Sequence, residues 1–114
     1  MNSVVQFPAD RVPRLPFAQR RALADALFDI PIMADQSMRR AVLSQLSYAA
    51  AIPEQPVAAI ELHQVVTTAL DYPGGIRQLV DVVSGLAGEG ARSVIRLRQL
   101  AEDLGLLDPE TDQT

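Results

Sequence analysis

One histidine, His63, stands near Glu61 in the middle of a 114-residue chain that contains no cysteine. A hydrolytic triad needs a nucleophile, a base and an orienting acid within mutual reach. His63 and Glu61 fail that test if the segment is helical, because residues so near in sequence do not share a helix face. His63 reads instead as a partly exposed structural residue. A zinc site needs several His or thiolate ligands at suitable spacing, and none accompany His63. Asp25 and Asp29 share a helical face, but Arg21 shares it too, which describes a solvated row rather than a carboxylate pair. Gly74-Gly75, and Gly88 with Gly90, are too little for a phosphate loop. That motif also requires a lysine, and the chain has none. The expectation is no catalytic residue, no cofactor and no metal: the chain is not an enzyme.

What remains is the chemistry of recognition. All 10 basic residues are arginine, whose planar fork grips carboxylates through paired hydrogen bonds. Arg39-Arg40 and Arg92-Arg96-Arg98 form two clusters, with Asp71, Asp81, Glu102 and Asp103 as acidic counterparts. A domain carrying both signs on different faces can stack head to tail on copies of itself or on a related domain. The candidate contact residues are Arg39, Arg40, Asp71, Tyr72, Arg77, Asp81, Arg92 and Arg96. Solvated helix surface is the plainer description of the arginines. Tyr72 has two readings as well: an exposed anchor for a partner, or a ring tucked under the Pro73-Gly74-Gly75 turn.

The elements that position these groups are helices. Residues of hydrophobic type make up 48% of the chain and aromatic ones 4%, so the core is built from Leu, Val, Ile, Ala and Met, a palette that suits helix packing. A first helix is expected from about Pro16 to Asp29 with Leu23, Leu27 and Ile30 inward, stopped by Pro31. A second starts at Asp35 or Ser37, with Met38, Val42, Leu46 and Ala49 on its apolar face and Arg39, Arg40, Ser44 and Ser47 largely outside. A third runs from about Ala59 to Tyr72. Pro73 ends it, and the two glycines that follow let the chain turn sharply. A fourth begins near Ile76 with Leu79, Val80, Val83 and Leu86 inward and Arg77 and Asp81 outside. The fifth spans about Ala91 to Leu104, with Gly105 as its terminating residue. Together these predict an all-α, compact antiparallel bundle of five to six short helices over residues 15–107. Residues 1–14 read as an extended leader and 108–114 as a disordered tail.

The net charge of −4 disfavours nonspecific nucleic-acid binding, which needs positive surface. No stretch is long and apolar enough for a membrane span, and the N-terminus lacks the pattern of a signal peptide. The expected location is the cytoplasm.

Two local patterns carry a family resemblance. The first is Leu23 through Leu27 followed by Met33, Asp35, Arg39, Leu43 and Leu46. The second is Leu70-Asp71-Tyr72-Pro73-Gly74-Gly75-Ile76 followed by Leu79-Val80. Over roughly residues 15 to 105 the chain resembles the bacterial effector-associated domain of the second type. That resemblance implies a death-fold-like, CARD-like adaptor. Its partner would be a matching helical domain on an effector such as a trypsin-like or caspase-like protease, in bacterial conflict and anti-phage signalling, with self-association also implied. The usual context includes an attached effector domain, which this sequence does not show; it is either a domain of a larger protein or a free-standing adaptor. The second reading is a DNA-binding regulator of helix-turn-helix type, with the second or fifth helix in the major groove. An immunity protein for a toxin would use the same surface physics.

Overall fold

The computed structural model describes residues 15–107, so the leader and tail expected at either end lie outside the described residues. Helix α1 covers Phe17–Phe28 and buries Leu23, Ala24, Ala26 and Leu27, leaving Arg21, Asp25 and Asp29 in solvent. Pro31 ends α1, but it also occupies the first turn of a further short helix, α2, Pro31–Ala34. Proline has no N–H to lose there and its φ already suits a helix start.

Helix α3, Gln36–Leu43, is capped by Asp35, whose carboxylate accepts the Met38 N–H at 2.9 Å. The rotation of this helix differs from the expected one. Its buried positions are Arg39, Val42 and Leu43, continued by Leu46 beyond its end, while Met38 is half exposed. Nor does it extend to Ala49. The chain leaves the α-helix after Leu43 and forms a 3-10 turn at Ala49–Ala51. Tyr48, just before that turn, is buried.

Helices α4 (Ala58–Leu70), α5 (Gly75–Ala87) and α6 (Arg92–Asp103) complete the bundle. α1 packs on α4 and α6, α5 bridges α4 and α6, and α3 rests on α5. One continuous core results. Leu23, Leu27, Met33, Leu62, Val66, Leu79, Val83, Val94 and Leu97 are all nearly inaccessible to solvent. Each such side chain contributes about 1.5–3 kcal/mol by leaving water. Leu86, expected inside, is 58% exposed at the outer end of α5.

α6 closes with a Schellman turn. Gly105 adopts a left-handed φ of 75°, its N–H donates to the Glu102 carbonyl, and the Leu106 N–H donates to that of Ala101, both at 2.9 Å. This satisfies carbonyls that the helix end would leave bare. Six helices and no strand occur among the described residues, which makes the fold all-α.

Candidate interaction surface

The turn between α4 and α5 is rigid for reasons that can be read atom by atom. Gly74 sits at φ 69°, a left-handed conformation that suits glycine. Gly75 opens α5 so close to α4 that an added Cβ would lie 2.0 Å from the Ala69 carbonyl oxygen. Tyr48 reaches in from the α3–α4 connection and its hydroxyl donates to the Gly75 carbonyl at 2.6 Å. Burial pushes the Tyr48 phenol well above its ordinary pKa, so it stays a proton donor. The ring of Tyr72 stacks on that of Tyr48 with centroids 5.1 Å apart and 16° between planes. Tyr72 nevertheless remains 43% exposed. Part of each expected reading therefore applies: one face of the ring is supported by the fold, and the rest is open to solvent, beside the exposed Asp71 and Pro73.

The Arg39-Arg40 cluster divides. Arg39 is not a surface group: it is 1% exposed, which corrects its expected place among the contact residues. Its Nε donates to Glu61 Oε1 at 2.6 Å, and its Nη1 donates to the carbonyls of Met33 at 3.0 Å and Ala34 at 3.3 Å. It thus takes up the open carbonyl end of α2, a helix too short to stand alone. The second carboxylate oxygen of Glu61 accepts the Gln55 N–H at 2.9 Å and lies 3.4 Å from Arg40 Nη2. Arg40, partly exposed, also pairs with Glu54 at 2.5 Å. The network fastens α2, α3 and the residues before α4 to α4 itself.

Burial alone would raise the Glu61 carboxyl pKa. The Arg39 hydrogen bond, the Gln55 amide and the positive charges of Arg39 and Arg40 outweigh it, holding the group below its ordinary 4.5. A carboxyl with a depressed folded pKa adds stability that is complete above its unfolded pKa and is lost as pH falls through the folded value. Wild-type protein should therefore lose urea resistance on acidification below about pH 4.5. Glu61→Gln, less stable at neutral pH, should show a shallower decline. Parallel urea midpoints for both chains from pH 7 down to pH 3 would remove Glu61 as the cause.

Helix α6 presents Arg92, Ile95, Arg96 and Gln99 to solvent, with Ile95 53% exposed. An open hollow of about 430 Å³ runs along these residues, Leu100 and Asp103. Arg96 lies 3.5 Å from Asp29 of α1 in an exposed pair, the kind that contributes about 0–1 kcal/mol. Arg98 turns instead toward α5, donating to Ser84 Oγ at 3.0 Å and lying 3.8 Å from Asp81. Asp81 is thus engaged by α6, and Arg77 donates to the Leu107 carbonyl at 2.5 Å, tying α5 to the chain beyond α6. His63 lies on α4 with its ring 5.0 Å from that of Phe17. No group of His, Cys, Asp and Glu that could hold a metal occurs among the described residues. Nor is any helix there long and apolar enough to cross a membrane.

Asp71, Tyr72, Arg92 and Arg96 are thus presented on the surface, in two separate groups. The sequence from residue 24 to residue 113 matches the family model of effector-associated domain 2. The chain belongs to the effector-associated domain 2 family. The matched span begins inside α1 and takes in the Arg39–Glu61 pair, the α4–α5 turn and the whole of α6. No curated protein and no solved structure matches the chain. Two residues that hold this effector-associated domain together, Tyr48 and Glu61, were not singled out for those roles by sequence reasoning. Glu61 had a readable signal, since it falls in the helical stripe Glu61, Leu62, Val65, Val66 and Ala69 that α4 buries.

Proposed function

We propose that this effector-associated domain is a non-catalytic cytoplasmic adaptor. It recruits or assembles an effector, a protease of trypsin-like or caspase-like type, through contact with a matching domain in bacterial immune signalling. The observation that carries the reading is the chemistry of the surface. Its exposed groups are paired-sign charges and a supported aromatic ring, which suit binding another protein. The family supplies the effector side of the reading, because an effector-associated domain implies an effector to be associated with.

The test is co-elution of the purified chain with a family domain borne by a protease effector. Binding should weaken as salt is raised, since exposed charge pairs are screened over about 8–10 Å at moderate ionic strength. Absence of a complex with any such domain at low salt, together with a complex on duplex DNA, would transfer the reading to a helix-turn-helix regulator.

A further inference from the structure

We infer that two copies of this domain join head to tail, the Asp71-Tyr72 corner of one copy seating in the α6 hollow of the next. The inference rests on the adaptor reading and deepens it by naming the two faces of a like-with-like contact.

The corner has the properties of an anchor. Tyr72 is exposed, yet its ring lies on the buried ring of Tyr48, and the backbone beneath it is held by the Tyr48–Gly75 hydrogen bond. Little freedom is left to lose on binding, which favours an aromatic anchor. Asp71 stands next to it, exposed, and makes no ion pair among the described residues. The hollow has the matching properties. Ile95 and Leu100 supply apolar surface, while Arg92, unpaired among the described residues, and Arg96 supply positive charge on the same side of α6. Asp103 ends the stripe, where it accepts a hydrogen bond from Gln99 Nε2 at 3.0 Å. An incoming carboxylate is therefore directed to the Arg92–Arg96 end, and the ring beside it to Ile95.

The two faces are built from different elements. The corner lies against the α3–α4 connection, where the Ser47 N–H donates to Gln78 of α5 at 2.7 Å. α6 packs on α1 and α5. One copy therefore offers a corner to one neighbour and a hollow to another. Such a heterologous contact propagates unless its rotation closes a ring.

The chain has no cysteine, so single cysteines report cleanly. Pro73→Cys and Gln99→Cys chains, mixed in equal amounts and oxidised, should form a mixed disulfide dimer. Neither should pair with a Gln19→Cys chain, whose cysteine lies on the exposed side of α1. In that background Asp71→Arg on the corner chain, or Arg92→Glu with Arg96→Glu on the hollow chain, should reduce the cross-linked yield at least tenfold. Combining both reversals in one mixture should restore it. Circular dichroism of each variant establishes that it is folded. Equal cross-linking to the Gln19→Cys control, or yields indifferent to charge reversal, overturns the head-to-tail contact. If an effector-borne domain still co-elutes under those results, the adaptor reading stands without it; loss of both removes both.

Discussion

Glu61→Ala is expected to strip the domain of a large fraction of its stability. The substitution removes the only carboxylate paired with Arg39 among the described residues and leaves a guanidinium that is 1% exposed facing a protein interior. Breaking a buried pair in this way costs about 3–5 kcal/mol, because an uncompensated charge stays behind. Domains of this size have about 5–15 kcal/mol of total stability. The Gln55 N–H and the Arg40 guanidinium lose a partner at the same stroke, so the connection before α4 is released along with the core. Arg39→Met combined with Glu61→Leu should recover part of the loss. Recovery should be incomplete, since the Met33 and Ala34 carbonyls and the Gln55 N–H remain without those partners. Urea titration of the three chains decides it. A single Glu61→Ala variant within 1 kcal/mol of wild type by that measure, on the scale of an exposed pair, would mean that the pair is not buried in solution.

Gly75→Ala should be nearly as damaging, for a steric reason. The new methyl carbon would lie 2.0 Å from the Ala69 carbonyl oxygen and 2.9 Å from its carbonyl carbon. The obstacle is backbone, so α4 and α5 must separate. That movement strains the Tyr48 hydrogen bond to the Gly75 carbonyl and the stacking of Tyr72. A cost of about 3 kcal/mol is expected, at the upper end for overpacking. Gly85→Ala gives the matching contrast. Position 85 lies in the same helix with nothing within 4 Å of an added Cβ, and alanine there should stabilise by about 0.5–1 kcal/mol through helix propensity. Thermal melts of the two variants should therefore move in opposite directions. If Gly75→Ala melts within a degree or two of wild type, the close approach of α4 and α5 is wrong.

The helical bundle was legible because its apolar residues keep a 3.6-residue period through α1, α4, α5 and α6, and proline or glycine lies near most helix ends. α3 shows where that reading falters. Eight residues give barely two turns, and two stripes fit nearly as well: Met38, Val42, Leu46 and Ala49, or Arg39, Val42, Leu43 and Leu46. The first is more apolar in composition. The second is the buried one, because Glu61 occupies an inward position on α4 and neutralises Arg39 there. A charged residue on an inward stripe in one helix reads as an error unless its partner is recognised on another, 22 residues away. The Tyr48 contact was hidden for a similar reason, since no local pattern announces a hydroxyl meeting a carbonyl 27 residues along. Leu86 was misplaced because α5 turns Val83, Ser84 and Ala87 toward the core, which leaves position 86 on the outward side. Asp71, Tyr72, Arg92 and Arg96 were visible as exposed types, but their separation into a corner and a hollow depends on how the helices stack.

The interior ion pair also limits how this sequence can drift. A lineage that changes residue 39 or residue 61 alone passes through a protein with one stranded charge in its centre, and most such chains would be cleared as misfolded. An uncharged interior is accessible only when both positions change in close succession, or after a gain of stability elsewhere has made the intermediate tolerable. The two sites are therefore expected to change together, whereas Asp71 and Arg92, out in the solvent, are free of that constraint.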